Sequence, residues 1–196
     1  MINCTTDTRI YLMIETDLSS FSNKDYHPGS VFRRATWYIV SLFFFRSAFP
    51  WPSRIKVLLL RLFRAKIGTG VVLKPSITIK YPWFLSIGDN AWIGEMVWID
   101  NLVSVSIGSN ACISQGAMLL TGNHNYRKSS FDLMAKPIVL ESGVWIGAKS
   151  VVCPGVTCFS HSVLSVGGIA TSNLNSYSVY LGNPAKQVKS REIIEG

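Results

Sequence analysis

The chain contains 196 residues, of which 48% are hydrophobic and 15% are charged, and its formal net charge is +8 at pH 7. This composition excludes a disordered or collagen-like chain and indicates one globular domain with an attachment. The N-terminus lacks a basic start followed by an apolar core, so we predict a cytoplasmic protein without a secretory signal. The spacing of the cysteines matches no metal site and favours reduced thiols over a disulfide. The cysteines are Cys4, Cys112, Cys153 and Cys158.

Residues 1–30 are predicted to form an N-terminal extension, and residues 31–66 are predicted to form a basic, apolar helical segment. No acidic residue occurs between Tyr26 and Gly88, whereas ten lysines and arginines do. The apolar stretches at 35–45 and 55–63 are both shorter than the ~18 to 20 apolar residues that a membrane span requires. A transmembrane helix is therefore not predicted.

Two interpretations of the basic, apolar segment remain open. Residues 31–63 can form interfacial helices, with arginines near anionic headgroups and aromatic rings at the acyl boundary. Alternatively, the same helices pack as a cap on the open end of the domain that follows. Nucleic-acid binding is not predicted, because the basic residues are embedded in apolar helices instead of forming an open stripe.

From Ile67 onward an aliphatic residue returns about every sixth position, usually followed by glycine. Clear examples are Ile67-Gly68, Ile87-Gly88, Ile93-Gly94, Ile107-Gly108 and Ile146-Gly147. A period of six matches neither a helix nor an alternating strand, and it is typical of a β-solenoid. The repeats group in threes, which predicts a triangular coil of three short strands. Stacked strands lie ~4.8 Å apart, so roughly five coils over residues 67–173 predict a prism on the order of 24 Å tall.

The fourth position after each leading aliphatic residue is small or β-branched, as a tight corner between strands requires. These residues are Ala91, Val97, Val103, Ala111, Ala117, Ser150, Val156 and Ser162.

The repeat has one long interruption, at residues 121–137, and long loops within compact solenoids are usually functional sites. His124 lies where this loop leaves the prism, and histidine is well suited to proton transfer near neutral pH. The alternative is a histidine that only completes a loop hydrogen bond. His161 is interpreted as a corner residue and His27 as a loop residue. Three histidines at these spacings do not predict a metal site of the carbonic anhydrase type.

Seven segments carry a family resemblance. They are Asp17-Leu18-Ser19-Ser20-Phe21, Leu62-Phe63-Arg64-Ala65-Lys66-Ile67-Gly68, Tyr81-Pro82-Trp83, Thr121-Gly122-Asn123-His124, Val144-Trp145-Ile146-Gly147, Cys153-Pro154-Gly155-Val156-Thr157 and Leu181-Gly182-Asn183-Pro184-Ala185-Lys186. In these segments the chain resembles the hexapeptide-repeat acyltransferases, and among them the colanic acid biosynthesis acetyltransferase type. The resemblance implies an all-β solenoid, a left-handed parallel β-helix with a short N-terminal helical segment and an extended loop.

The resemblance also implies an activity: O-acetyl transfer from acetyl-CoA to a sugar hydroxyl in bacterial exopolysaccharide or surface-glycan biosynthesis. It implies a homotrimer that binds acetyl-CoA between adjacent prisms, with no metal. His124 matches the family's general base, which deprotonates the acceptor hydroxyl for direct transfer without an acyl-enzyme. Other readings stay open, namely acetylation of serine or of a nucleotide-linked amino sugar, and a non-catalytic scaffold.

The residues implied for donor binding are Trp145, Ala148, Val166, Thr171, Lys186 and Lys189. Backbone amides of Ala148 and Val166 match those that contact the pantetheine arm, and Trp145 matches a residue that lines the groove. Lys186 and Lys189, in a C-terminal tail at 174–196, match basic residues near the CoA phosphates. Relatives commonly carry a lysine shortly after the last coil, where this chain has Thr171-Ser172-Asn173.

Acceptor recognition rests on fewer residues. Asp100 and Asn101 are candidates for contacts with sugar hydroxyls, or they are polar turn residues that close a hexad. Relatives that act on simple galactosides carry asparagine near the position of Met96, which argues against a galactoside preference. The basic N-terminal region suggests an acceptor on an anionic carrier, such as a lipid-pyrophosphate glycan.

Overall fold

A triangular column of short parallel strands forms the body of the protein in the computed structural model, which describes residues 14–195. This architecture confirms the predicted β-solenoid. Cys4 lies outside the described residues.

Two α-helices precede the strands, α1 at Val31–Phe44 and α2 at Ser53–Leu62, and short 3-10 helices occupy Leu18–Ser20 and Pro82–Phe84. The strands in chain order are β1 Lys66–Ile67, β2 Val72–Leu73, β3 Thr78–Ile79, β4 Leu85–Ile87, β5 Trp92–Ile93, β6 Trp98–Asp100, β7 Val105–Ile107, β8 Cys112–Ile113, β9 Met118–Leu120, β10 Gly122–His124, β11 Leu133–Ala135, β12 Ile138–Leu140, β13 Trp145–Ile146, β14 Val151–Val152, β15 Thr157–Cys158, β16 Val163–Leu164, β17 Ile169–Ala170, β18 Ser178–Gly182 and β19 Ala185–Ser190.

The strands form three parallel sheets, one on each face of the prism. The first face contains β1, β4, β7, β12 and β15, the second contains β2, β5, β8, β13, β16 and β18, and the third contains β3, β6, β9, β14 and β17. Each leading aliphatic residue points inward and pairs with its counterpart one coil away, as Ile87 does with Ile107. Parallel pairing continues beyond residue 173, because β18 pairs with β16 before β19 returns antiparallel to β18.

The corners of the prism explain the small residues at the fourth position. The residue before seven of the eight has a positive φ, for example 55° at Asn90 and 56° at Met96, and Leu102 before Val103 is the exception. This left-handed turn directs the next side chain inward, where Ala91 and Val97 are fully buried. Of the predicted corner set, all are buried except Val103, which is half-buried. His161 has a φ of 59° and occupies such a corner, as predicted.

The two helices pack on the first coil, as the cap interpretation predicted. Trp37 of α1 is buried, and its indole Nε1 donates a hydrogen bond to the carbonyl of Ile79 at 2.9 Å. Phe45 and Leu60 are fully buried in the same core as the prism. The aromatic ring of Trp37 lies 5.1 Å from those of Phe45 and Phe63, which adds ring contacts to the apolar burial.

The opposite side of this cap presents large apolar residues to solvent. Phe32 and Phe43 of α1 are 82% and 66% exposed, and Leu62 of α2 is 68% exposed. Within residues 14–195, no helix combines the length and apolarity needed to cross a bilayer.

The long interruption folds as a β-hairpin. β10 and β11 pair antiparallel, with His124 opposite Leu133. Thr121 anchors the base of the hairpin, since its buried Oγ1 donates to the Asp100 carbonyl at 2.8 Å and accepts from the Leu102 amide at 2.9 Å. The hairpin therefore departs from a fixed point at the corner between the third and first faces.

Candidate active site

A cavity of about 500 Å³ lies at the base of the hairpin. We call it the acceptor cavity. It is lined by Phe21, Asn23, Tyr26, Lys80, Tyr81, Asp100, Leu102, Gly122, Asn123, His124 and Leu133. The structure thus brings His124 and Asp100, which were both predicted from the sequence, into one cavity.

The imidazole of His124 is held by Phe131 from the far side of the hairpin. Its Nδ1 lies 2.8 Å from the Phe131 carbonyl oxygen, and the two rings stack with centroids 4.4 Å apart. Because a carbonyl oxygen only accepts, this hydrogen bond places the proton on Nδ1 of the neutral ring. Nε2 then carries a lone pair and is able to accept a proton. The loop hydrogen bond and a function as a base are therefore compatible at His124.

Asp100 and Lys80 form an ion pair beside the histidine. Lys80 Nζ lies 2.9 Å from Asp100 Oδ1, and the carboxylate side chain is mostly buried. Tyr26 closes the cavity by donating its hydroxyl proton to the Leu102 carbonyl at 2.8 Å. Burial raises the pKa of the Tyr26 phenol, with nearby Tyr81 and Asp100 acting in the same direction, so this hydroxyl stays protonated near neutral pH.

Asn101 does not face the acceptor cavity, although it was a candidate for acceptor contact. Its side chain is fully buried. Its Oδ1 accepts from the amides of Lys80 and Tyr81, and its Nδ2 donates to the Tyr81 carbonyl at 2.6 Å. This geometry favours the alternative interpretation, a turn residue that joins two coils, because both polar atoms are already used.

A larger groove of about 1150 Å³ runs along the corner between the second and third faces. We call it the donor groove. It is lined by Ser114, Gln115, Trp145, Gly147, Ala148, Val163, Leu164, Ser165, Val166, Val179, Lys189, Ser190, Arg191 and Glu192. Four of the six residues predicted for donor binding line it, namely Trp145, Ala148, Val166 and Lys189.

The backbone amides of Ala148 and Val166 are available to a ligand. Among residues 14–195, neither amide donates a hydrogen bond to a backbone carbonyl, whereas the neighbouring Gly147 and Gly167 amides do. Trp145 forms one wall, and its Nε1 donates to Ser114 Oγ at 2.9 Å. The groove thus combines an apolar wall with unpaired donors, which suits a chain that carries amide carbonyls.

The C-terminal hairpin presents both predicted lysines on one side. Lys189 pairs with Val179, Lys186 pairs with Leu181, and the register shifts between them. In a regular strand, residues three apart point to opposite sides, but the extra residue at this bulge restores a common direction. Lys186 therefore shares an outward side with Lys189 without lining the donor groove. Thr171 follows β17 at the next corner of the prism and does not line the groove either.

Several lining residues were missed by sequence reasoning. Ser114 and Gln115 follow Ile113 as Gly147 and Ala148 follow Ile146, so the hexad register carried a signal for them. Tyr26 had no such signal, because it reaches the cavity only through the path of the N-terminal extension.

Burial disfavours the thiolate form of Cys112, Cys153 and Cys158, which is the form that acts as a nucleophile. Cys158 points into the core, where burial raises its pKa to about 12. Burial also raises the pKa of Cys112 and of Cys153. Residues 14–195 contain no group of three or more histidine, cysteine, aspartate or glutamate side chains placed to hold a metal ion.

Comparison with known proteins identifies the family. No family model matches the chain. The chain is 36% identical over 180 residues to the colanic acid biosynthesis acetyltransferase WcaF of Escherichia coli (strain K12), covering 89% of this chain and 97% of the relative. The chain belongs to this acetyltransferase family. It is an acyltransferase, as predicted. Galactoside O-acetyltransferase of the same organism is 30% identical over 129 residues, covering 64% of this chain and 63% of that relative.

Solved acetyltransferase structures share the fold. A hexapeptide-repeat-containing acetyltransferase from Vibrio cholerae superimposes with a TM-score of 0.74 at 23% identity, covering 82% of this chain and 92% of that chain. A galactoside acetyltransferase in complex with coenzyme A gives a TM-score of 0.73 at 22% identity, with 82% and 81% covered. These matches confirm the left-handed parallel β-helix for this acetyltransferase.

Proposed function

We propose that this acetyltransferase transfers the acetyl group of acetyl-CoA directly to a sugar hydroxyl in exopolysaccharide or surface-glycan biosynthesis, with His124 as general base. The observation that carries the proposal is the Nδ1 hydrogen bond to Phe131, which leaves Nε2 as a proton acceptor beside an open cavity. The colanic acid relative supports this acceptor class.

The proposed reaction needs one base and no covalent intermediate on the protein. Nε2 of His124 removes the hydroxyl proton as the sugar oxygen attacks the thioester carbonyl carbon. The tetrahedral intermediate collapses, the carbon–sulfur bond breaks, and the CoA thiolate takes the proton from Nε2. A positioned base of this kind contributes ~10²- to 10⁴-fold to the rate.

The donor groove is proposed to hold acetyl-CoA. The unpaired amides of Ala148 and Val166 would donate to the amide carbonyls of the pantetheine arm, and Trp145 would pack against it. Lys186 and Lys189 would attract the phosphates from the shared side of the C-terminal hairpin. A Vibrio cholerae structural relative was solved in complex with acetyl-CoA, which supports this donor.

We propose a homotrimer because the acceptor site and the donor site are separate from each other within one chain. The acceptor cavity and the donor groove share no lining residue and lie at different corners of the prism. The third face lies between these two corners, so a second copy packed there would bring its groove to His124. This head-to-tail contact closes into a ring when the rotation is threefold. Thr171, which lies at the corner between the third and first faces, would then approach the donor from the neighbouring chain.

The outward side chains of the three faces support this assembly. The second and third faces present mostly apolar ladders, and the first presents a more polar one. The second face carries Val72, Trp92, Cys112, Trp145, Val163 and Val179. The third carries Thr78, Trp98, Met118, Val151 and Ile169. The first carries Lys66, Ser86, Ser106, Val139 and Thr157. Two apolar faces suit two neighbours, and the polar face suits solvent.

An acceptor screen with acetyl-CoA tests the proposed activity. Free CoA release and product mass are measured with oligosaccharides, serine and a nucleotide-linked amino sugar. We expect O-acetylated sugar as the product, with no transfer to serine and no N-acetyl product. Transfer only to serine or to an amino group would contradict the sugar hydroxyl as acceptor, and the absence of CoA binding would favour a scaffold.

We also propose that the helical cap contacts an anionic membrane surface at the cytoplasmic side, through residues 31–63. The exposed rings of Phe32 and Phe43 would enter the interface, and the acid-free segment would attract anionic headgroups. Deletion of this segment would remove buried Trp37, so substitution of exposed residues is the cleaner test. Phe32→Ser combined with Phe43→Ser should abolish sedimentation with phosphatidylglycerol vesicles, and unchanged sedimentation would contradict the contact.

A further inference from the structure

A second cavity, also of about 500 Å³, adjoins the acceptor cavity on the side of α1. We call it the basic cavity. It is lined by Arg34, Trp37, Tyr38, Ser41, Arg46, Thr78, Ile79, Lys80, Tyr81, Trp98 and Asp100. Lys80, Tyr81 and Asp100 line both cavities, so a ligand that extends from one reaches the other.

The charges in the basic cavity are unbalanced. It contains the cations of Arg34, Arg46 and Lys80, and its one carboxylate, Asp100, is already paired with Lys80 at 2.9 Å. Among residues 14–195, neither arginine forms a salt bridge. Two positive charges are therefore left over at this position, and a bound anion would neutralise them.

Arg34 carries a more specific sign of a missing partner. Its Nε is buried and has no hydrogen-bond partner within the part of the chain that the structure describes. A buried donor without an acceptor costs free energy, and most such groups in proteins are paired. The guanidinium that carries this Nε belongs to a residue lining the basic cavity, where a bound anion would neutralise its charge.

The helical period of α1 explains why these residues converge. Arg34, Trp37, Tyr38 and Ser41 are spaced three or four residues apart and so lie on one side of the helix, toward the prism. Arg46 follows the helix end, and its guanidinium lies 5.9 Å from the centre of the Tyr38 ring. The residues that cap the solenoid thus also form the wall of the cavity.

We infer that the basic cavity binds a phosphate or diphosphate group attached to the acceptor sugar. A planar guanidinium group donates two parallel hydrogen bonds to two oxygens of one phosphate. The aromatic rings of Tyr38, Tyr81 and Trp98 offer surfaces on which the adjoining sugar can pack. The inference rests on the proposed function and names its substrate class, a phosphate-linked glycan. The shared residue Asp100 would then face the sugar whose hydroxyl reaches His124.

Calorimetric binding of inorganic pyrophosphate tests this inference without any acetyl transfer. CoA is present at saturation, so that the donor groove does not contribute. We expect the full-length wild type to bind pyrophosphate and Arg34→Gln/Arg46→Gln to bind it about tenfold or more weakly, as expected for lost charge-assisted hydrogen bonds. Arg33→Gln is the matched control, because Arg33 lies over the Trp83 ring outside the cavity, and its affinity should equal that of wild type.

Unchanged affinity in the double variant, or an equal loss in Arg33→Gln, would overturn the inference. Should the double variant unfold, Arg46→Gln alone replaces it, because this side chain is exposed. That variant is expected to bind pyrophosphate several-fold more weakly, and wild-type affinity would overturn the inference. Because this readout involves no acceptor sugar, the subsite can stand even when the acceptor screen fails.

Competition separates the two sources of the phosphate. A nucleoside diphosphate is expected to displace pyrophosphate when the acceptor is nucleotide-linked, and a short prenyl diphosphate is expected to displace it when the acceptor is lipid-linked. Displacement by either supports a phosphate-bearing acceptor and identifies its carrier. Displacement by neither would contradict the inference.

Discussion

His124 Nδ1 lies 2.8 Å from the carbonyl oxygen of Phe131, and the ring of Phe131 stacks on the imidazole at a centroid distance of 4.4 Å. The Phe131 carbonyl selects the tautomer of the His124 imidazole, and the Phe131 ring fixes the plane of the imidazole by stacking on it. The hairpin formed by β10 and β11 therefore does more than carry a histidine, since it also directs Nε2 as the free acceptor.

Replacing His124 with alanine is expected to lower kcat by about 10²- to 10⁴-fold, because the general base is removed. The dissociation constant for acetyl-CoA should stay unchanged, since the donor groove does not contain this residue. Steady-state kinetics and calorimetry measure the two effects. His161→Asn is the control, because it changes a corner residue at positive φ to one that tolerates this conformation and should retain wild-type kcat. Full activity of His124→Ala would exclude this base.

The C-terminal lysines are expected to hold the CoA phosphates. Lys186→Gln combined with Lys189→Gln should weaken CoA binding by about tenfold and reduce its salt dependence, since two screened charges are lost. Lys66→Gln, on the outward side of the first face, is the control and should bind CoA like wild type. Equal salt dependence in the double variant and the wild type would show that these lysines do not contact the phosphates.

Asn101 is expected to stabilise the fold without contacting the acceptor. Asn101→Ala leaves the half-buried amide of Tyr81 without an acceptor, while the Lys80 amide keeps its hydrogen bond to the Ile99 carbonyl. The unpaired amide should lower the free energy of unfolding by about 1 to 3 kcal/mol. Chemical denaturation measures this loss. At a temperature where the variant remains folded, KM for the acceptor should change less than in Asp100→Asn. A larger KM change in the Asn101 variant would reverse the two roles.

Lys56 makes stability depend on pH. The side chain is fully buried, and its Nζ donates to the carbonyls of Leu73 and Lys74. Burial lowers its pKa in the folded protein below the ordinary 10.5, so between the folded pKa and 10.5 the unfolded chain binds more protons. The free energy of unfolding should therefore rise with pH in this window.

The variant Lys56→Met isolates this effect. Subtracting its unfolding free energies from those of the wild type removes the contribution of other titrating groups, and the difference should increase with pH up to about 10.5. A difference that is independent of pH would mean that Lys56 has the same pKa in both states.

The prism could be predicted from the sequence because each six-residue repeat specifies its own strand and its own corner. Each leading residue, such as Ile87, must point inward, and each small corner residue, such as Ala91, must fit a left-handed turn. The spacing of His124 was enough to place it at the start of the interruption, although this segment folds as a β-hairpin with His124 in β10. Trp145, Ala148 and Val166 were predicted from the family resemblance, and they line one groove in the structure.

The repeat pattern could not predict contacts between segments that are far apart in the sequence. Tyr26 reaches Leu102 across 76 positions, and Trp37 reaches Ile79 across 42, through turns that have no period. The direction of Asn101 was also undetermined, because a polar residue at the end of a strand faces either a cavity or the next coil. The direction of the Asn101 side chain follows from the position of Tyr81 in the neighbouring coil, because the Tyr81 backbone bonds to both of its polar atoms.

In the proposed trimer, His124 of one chain acts on acetyl-CoA held in the groove of a neighbouring copy. Mixed trimers test it. His124→Ala lacks the base, and Val166→Trp fills the groove with an added ring at an exposed position. Each variant alone should form trimers and be inactive, with Val166→Trp also losing CoA affinity.

Refolding the two variants together in equal amounts should give mixed trimers with about a third of the wild-type rate, since in each mixed head-to-tail ring one of the three interfaces joins an intact base to an intact groove. Mixed trimers are isolated by two different affinity tags, and CoA release is measured. Recovery to about this level would support a site shared between chains. Mixed trimers without activity would contradict it, because base and groove would then belong to the same chain.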